Sequence, residues 1–104
     1  MDYQEIAGRI TENYELTKKA YPRFLDLVSE IGELGKELLE GSDYGDRDFE
    51  LDDIELIEME LGDVIFALAC LANTLGIDME SAFSTATSKY TARFENFGRV
   101  GTRS

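Results

Sequence analysis

The sequence of 104 residues has no His, no Trp, one Cys, one Pro and only 10 basic residues against 22 acidic ones. Without His, zinc sites of the Cys/His type, Ser-His-Asp triads and Glu-x-x-His di-iron sites are all excluded. The single Cys70 cannot form an intramolecular disulfide and is expected to be a small buried hydrophobic residue. Any metal site in this chain must therefore use oxygen ligands.

Long apolar runs are also missing. No stretch reaches the roughly 18 residues of a membrane span, and the first residues lack the basic-then-apolar order of a signal peptide. The net charge of -12 disfavours nucleic acid and anionic membranes as partners, because binding a polyanion relies on Lys and Arg. We expect one globular domain over residues 1–97, located in the cytoplasm, and a flexible tail over residues 98–104.

Periodicity predicts four helices and no strand. The first runs from Tyr3 to about Ala20, and the second starts around Pro22, which suits a first helical turn, and stops at Gly41. The apolar stripe of the second helix consists of Phe24, Leu27, Val28, Ile31, Leu34 and Leu38. The chain is therefore expected to be all-α and to form a four-helix bundle or part of a helical oligomer.

The third helix is expected to begin at a capping pair of Asp52 and Glu55 and to end at Gly76, after a loop over residues 41–49. Its second half is apolar almost all the way round, which is typical of a central helix covered by several neighbours. Asp78 can cap the fourth helix.

Acidic residues are concentrated in the middle of the chain, where residues 26–63 hold fifteen acids and two bases. Two pairs stand out, because each has a spacing of three on a predicted helix and therefore shares one face. They are Glu30 with Glu33 and Glu60 with Asp63. Four converging carboxylates repel one another unless a divalent cation binds between them, and oxygen ligands favour Mg²⁺, Mn²⁺ or Ca²⁺.

Basic residues recur on the fourth helix, where Lys89 and Arg93 lie four residues apart. Such a like-charged pair is unfavourable unless an anion lies between the two side chains. Since Mg²⁺ leaves coordination positions open to phosphate oxygens, a phosphorylated substrate held by Lys89 and Arg93 is one interpretation. The alternatives are that both side chains extend from a surface face or pair with Glu37 or Glu95. Asn73, inside an apolar segment, can bond a substrate or a backbone group of the core.

These residues resemble the MazG-type all-α nucleotide pyrophosphohydrolases. The resemblance covers about residues 21–97 and rests on three segments, Leu-Val-Ser-Glu30-Ile-Gly-Glu33-Leu, the run from Glu60-Leu-Gly-Asp63 to Gly-Ile-Asp78, and Lys89-Tyr-Thr-Ala-Arg93-Phe. It implies hydrolysis of a nucleoside triphosphate to a monophosphate and pyrophosphate, often to clean the nucleotide pool. One departure is Ser29, where the family's first motif begins with another Glu.

The resemblance also implies roles for individual residues. Glu30, Glu33, Glu60 and Asp63 are expected to bind Mg²⁺, with Mn²⁺ as a substitute, and to form the catalytic site. The substrate-binding candidates that it implies are Lys89, Arg93 and Asn73.

Two other functions stay open at this point. Phosphoribosyl-ATP pyrophosphohydrolase shares the carboxylate pattern but has Tyr-His after its Asp, where this chain has Ile65-Phe66-Ala67. A non-catalytic helical interaction module is the alternative from another class. Because the third helix has more apolar surface than 104 residues easily cover, we expect a homodimer or homotetramer.

Overall fold

A computed structural model describes residues 1–97, which form four α-helices and no strand. The helices are α1 (Tyr3–Asn13), α2 (Ala20–Gly41), α3 (Leu51–Leu75) and α4 (Met79–Phe97). The predicted all-α class and the number of helices are confirmed. Within the described residues, no helix is both long and apolar enough to cross a membrane. The tail predicted over residues 98–104 lies outside the described part of the chain.

The first helix ends earlier than predicted, at Asn13 instead of about Ala20. Glu15 adopts a left-handed conformation with φ of 53°, and the Leu16 N–H donates to the Thr11 carbonyl at 3.0 Å. This is the hydrogen bond of a Schellman motif, which usually has Gly at the left-handed position. The sequence signal for the stop is absent here, because Glu occupies that position.

The start of α3 is capped by other residues than predicted, whereas the start of α2 agrees with the prediction. Asp53 accepts a hydrogen bond from the Glu50 N–H at 2.8 Å and another from the Arg47 guanidinium at 2.9 Å. The cap of α3 is therefore formed around Glu50 and Asp53, and the predicted pair of Asp52 and Glu55 is wrong. Pro22 lies in the first turn of α2, as predicted.

Two predicted boundary residues are confirmed, a glycine at the end of α3 and an aspartate at the start of α4. Gly76 ends α3 in the left-handed conformation, with φ of 68°. Asp78 precedes α4 and accepts a hydrogen bond from the Ser81 N–H at 3.2 Å.

Helix α3 is the central element, as its apolar character predicted. Its buried residues Ala69 and Cys70 form a small core with Ala7 of α1. The Thr11 hydroxyl lies 3.7 Å from the Cys70 sulfur, within hydrogen-bonding distance for sulfur. Small side chains on both helices allow this close packing.

Helices α2 and α3 pair in antiparallel orientation, so that Gly41 at the end of α2 meets Asp53 at the start of α3. The less exposed residues of each helix recur at alternating intervals of three and four, which is the pattern of a coiled-coil seam. On α2 they include Ala20, Arg23, Leu27, Glu30, Leu34, Glu37 and Gly41. On α3 they include Asp53, Ile57, Glu60, Val64, Ala67, Leu71 and Thr74.

Only part of the predicted apolar stripe faces this seam. Rows of large apolar residues, spaced by seven, lie next to the seam and are 40–52% exposed: Phe24, Ile31 and Leu38 on α2, and Ile54, Leu61, Leu68 and Leu75 on α3. Each of these residues comes directly after a seam residue in the sequence. In an antiparallel pair of helices, the residues that come directly after the seam residues lie on the same side of the pair. We call these seven residues the apolar side of the hairpin.

Helix α4 does not pack along any of the other three helices. Met79, its first residue, contacts the core, but further along α4 the aromatic side chains of Phe83 and Phe94 are 71% and 55% exposed. The radius of gyration is 16.8 Å, whereas a compact chain of about 100 residues has about 13 Å. The four helices therefore do not close into a bundle within one chain.

The seam predicts a contrast between two leucines of α2. Leu27 is 8% exposed on the seam and Leu25 is 65% exposed on the outer face. Leu27→Ala is expected to lower the free energy of unfolding by about 2–4 kcal/mol, because it leaves a cavity, whereas Leu25→Ala should change it by less than about 0.5 kcal/mol. Urea unfolding at one fixed protein concentration measures both. Equal effects would show that α2 packs through a different face.

Candidate metal centre

The seam between α2 and α3 brings three of the predicted carboxylates together. Glu30, Glu60 and Asp63 each offer an oxygen, and these oxygens lie within 4.8 Å of one another. Glu30 and Glu60 are half-buried at seam positions, where a coiled coil normally has apolar residues, and Asp63 lies beside the seam. Their convergence follows from the antiparallel register. Gly41 at the end of α2 lies against Asp53 at the start of α3. Glu30 lies eleven residues before Gly41, so it reaches the part of α3 about eleven residues after Asp53, beside Asp63 and within one turn of Glu60.

Mutual repulsion and partial burial disturb the ionisation of this group. Desolvation is the main cause that raises the pKa of Glu30, and the charge of Asp63 is the next. The pKa of Glu60 is raised by the same two causes in the same order. Both shifts mean that the site disfavours the ionised form of its own side chains in the absence of a cation.

Glu33 lies outside the group of three. It is exposed on the next turn of α2, and its charge contributes to the raised pKa values of both Glu30 and Glu60. Glu33 is therefore near the group without sharing its short oxygen–oxygen distances. This leaves its carboxylate available for a different task from that of the other three.

The donor set fits a hard divalent cation. Three carboxylate oxygens within 4.8 Å match the oxygen ligands that Mg²⁺ and Mn²⁺ prefer. A cation between them would relieve the repulsion that, together with the larger effect of desolvation, raises the two pKa values. Glu30, Glu60 and Asp63 would hold such an ion.

Lys89 and Arg93, the residues predicted to bind phosphate, do not lie beside these carboxylates within one chain, because α4 does not pack along α2 or α3. The Lys89 ammonium and the Arg93 guanidinium both lie over the ring of Tyr90, at 5.0 Å and 5.8 Å from its centroid. Neither makes an ion pair within residues 1–97. Because α4 diverges from the hairpin, a role of Lys89 and Arg93 in phosphate binding stays a prediction.

Asn73 has a structural task at the far end of α3. Its amide donates to the Gln4 carbonyl at 3.0 Å and accepts from the Gln4 side chain at 3.1 Å. The Gln4 side chain also accepts from the Met79 N–H at 2.6 Å, so these contacts join α1 to the start of α4. Asn73 lies ten residues, or about 15 Å, along α3 from Asp63. It also lines an open groove of about 600 Å³, so a contact with substrate stays a prediction.

Three charged residues near the site were missed by the sequence reasoning. Asp26 and Glu37 contribute to the raised pKa values of Glu30 and Glu60, respectively, and Lys36 opposes the shift of Glu60. The helical spacing around Glu30 and Glu33 could have indicated two of them. Asp26 lies four residues before Glu30 and Glu37 lies four residues after Glu33, so each lies one turn from the pair on a similar face of α2.

The raised pKa values predict how the metal-free protein responds to pH. The folded chain binds protons at Glu30 and Glu60 more tightly than the unfolded chain, so the free energy of unfolding gains a contribution as pH falls toward the ordinary value of 4.5. That contribution is lost as pH rises through the raised pKa. Glu30→Gln should therefore raise the melting temperature at neutral pH and flatten its pH dependence down to about pH 5.

Calorimetry without metal measures this effect, with Glu58→Gln on α3 as the matched control for net charge. Glu58 is exposed and is not among the three grouped carboxylates. If the two variants had the same pH profile, the raised pKa of Glu30 would not be the cause of the pH dependence.

Comparison with known proteins gives the family. Residues 22–97 match the MazG nucleotide pyrophosphohydrolase domain. The chain is also similar to the uncharacterised protein YpjD of Bacillus subtilis strain 168, with 38% identity over 68 residues, which are 64% of this chain and 60% of YpjD. The similarity thus spans less than two thirds of that relative. No solved structure matches the chain. The matched segment holds all of α3 and α4 and nearly all of α2, including the grouped carboxylates, and the chain belongs to the MazG nucleotide pyrophosphohydrolase domain family.

Proposed function

We propose that this protein is a magnesium-dependent nucleoside triphosphate pyrophosphohydrolase that releases a nucleoside monophosphate and pyrophosphate and removes unwanted nucleotides from the pool. The observation that carries the proposal is the group formed by Glu30, Glu60 and Asp63, whose oxygens lie within 4.8 Å at a half-buried seam. Membership of the MazG family supports the reaction class.

Each carboxylate has a proposed role. Glu30, Glu60 and Asp63 bind Mg²⁺, which when bound supplies Lewis-acid polarisation of phosphate oxygens and acidifies a coordinated water. Glu33 lies outside the short-distance group and is exposed, so one of its oxygens can contact the ion while the other accepts a proton from the attacking water. Desolvation and the charge of Asp63 raise the pKa of Glu30, and a cation bound between the carboxylates would relieve the part that comes from repulsion.

The remaining predicted residues would contact the substrate itself. Lys89 and Arg93 are proposed to bind phosphate oxygens, and Asn73 is proposed to contact the nucleoside from the groove beside α1. Since α4 diverges from the hairpin, the contacts of Lys89 and Arg93 require α4 to fold back or a second copy of the chain to supply it.

The activity is tested with a panel of nucleoside triphosphates in Mg²⁺, in which pyrophosphate and orthophosphate are measured separately. Glu60→Gln is expected to lower pyrophosphate release by about two orders of magnitude or more, because it removes a charged ligand from the group. Glu58→Gln, on the same helix but outside the group, should keep the activity of the unchanged protein. Full activity of Glu60→Gln, or release of orthophosphate in place of pyrophosphate, would contradict the proposal.

We also propose that the protein forms a homo-oligomer, with at least a dimer built on the apolar side of the hairpin. Seven large side chains that are each 40–52% exposed leave on the order of 500 Å² of apolar surface open, at the upper end for one patch of a monomeric protein. A second hairpin with the same heptad spacing can pack against this surface, as in a four-helix bundle. Glu33 and Asp63 come directly before seam residues, so they lie on the side of the hairpin opposite to the apolar side. The carboxylates of the two copies would therefore not repel each other across this interface.

A substitution on the apolar side tests the assembly. Ile31→Glu is expected to convert the oligomer to monomers, because it buries a charge in the proposed interface, whereas Leu25→Glu on the outer face of α2 should leave the mass unchanged. Sedimentation or light scattering gives the mass in solution. A monomeric unsubstituted protein would refute the assembly.

A further inference from the structure

We infer that Lys36 is a substrate-binding residue that contacts a phosphate group of the nucleotide held at the carboxylates. This inference rests on the proposed function. It concerns a cation that belongs to the same hairpin as the metal ligands, in contrast to Lys89 and Arg93 on the diverging α4.

Most bases between residues 1 and 97 already have a partner. Four of them make ion pairs, namely Arg9 with Glu5, Lys18 with Glu12, Arg23 with Asp26, and Arg47 with Asp53. Lys89 and Arg93 lie over Tyr90. In this part of the chain, Lys19 and Lys36 are left with neither kind of contact.

The position of Lys36 separates it from Lys19. Lys36 is exposed on α2 three residues after Glu33, so the two side chains share a face one turn apart. It also precedes the seam residue Glu37, which places it on the same side of the hairpin as Glu33 and Asp63. Lys19 precedes α2, more than two turns before Glu30.

Electrostatics supports this proximity. Burial, Asp63, Glu33 and Glu37 all raise the pKa of Glu60, and Lys36 acts in the opposite direction. Its ammonium is thus within electrostatic range of a proposed metal ligand. Lys36 makes no ion pair with the surrounding carboxylates of residues 1–97, so its three N–H donors stay open to another anion.

The charge balance of the loaded site favours a cation at this position. A divalent ion is largely balanced by the carboxylates that hold it, and a triphosphate then adds further negative charge beside Glu33 and Glu37. A lysine at the edge of the group offsets this repulsion. Its flexible stem and compact charge suit the binding of a phosphate whose position changes between substrate and product.

The test compares Lys36→Gln with Lys19→Gln, which removes the same charge from an exposed position outside the site. Titration calorimetry measures the binding of inorganic pyrophosphate in Mg²⁺ and, separately, of Mn²⁺ alone. Lys36→Gln is expected to weaken pyrophosphate binding roughly ten- to hundred-fold, the range for one charge-assisted hydrogen bond, and to leave Mn²⁺ binding equal or slightly tighter. Lys36→Arg should restore most of the pyrophosphate affinity, and Lys19→Gln should match the unchanged protein.

Three outcomes would overturn the inference, and they can be told apart. Equal pyrophosphate affinity for Lys36→Gln and Lys19→Gln would remove Lys36 from the binding site and leave the proposed function intact. Weaker Mn²⁺ binding by Lys36→Gln would mean that Lys36 shapes the carboxylate group instead of contacting phosphate. An unchanged protein that binds Mn²⁺ but neither binds pyrophosphate nor hydrolyses any nucleotide would refute the proposed function together with this inference.

Discussion

Repulsion between carboxylates at a helix–helix seam is the constraint on which the rest of this structure depends. Glu30 and Glu60 occupy positions where an antiparallel pair of helices normally buries apolar side chains, and Asp63 lies next to them. Such a seam is weaker than an apolar one, because partly desolvated like charges lie close together. The hairpin is therefore held elsewhere, by apolar seam residues such as Leu27 and Ala67 and by the packing of α1 on α3.

The two sides of the hairpin carry different chemistry. Asp26, Glu33 and Asp63 each precede a seam residue and make one side of the hairpin acidic near the carboxylate group. Residues that follow the seam form the apolar side, which one chain leaves 40–52% exposed. This separation leaves the carboxylate group on one side of the hairpin and a row of partly exposed apolar residues on the other.

Much of the fold was predictable because local rules act over one or two helical turns. Gly76 and Asp78 mark the turn between α3 and α4, and both were recognised by residue type alone. The end of α1 was missed because Glu15 takes a left-handed conformation that the sequence does not signal. The start of α3 was misplaced because Asp53 bonds both the Glu50 backbone and Arg47, and several nearby acidic residues offered equivalent capping patterns.

For the site, the sequence by itself determined the donor chemistry, since the absence of His and the paired spacing of Glu30, Glu33, Glu60 and Asp63 leave a carboxylate site on two helices. It could not determine which face of α2 meets α3, because the apolar stripe of α2 is wide enough to serve two neighbours. The tertiary structure decided that, since the antiparallel register places Glu30 on the seam with Glu60 and leaves Glu33 outside the group. It also decided that α4 diverges from the hairpin. Helical periodicity describes each helix alone, whereas the distances between helices depend on packing between residues far apart in the chain.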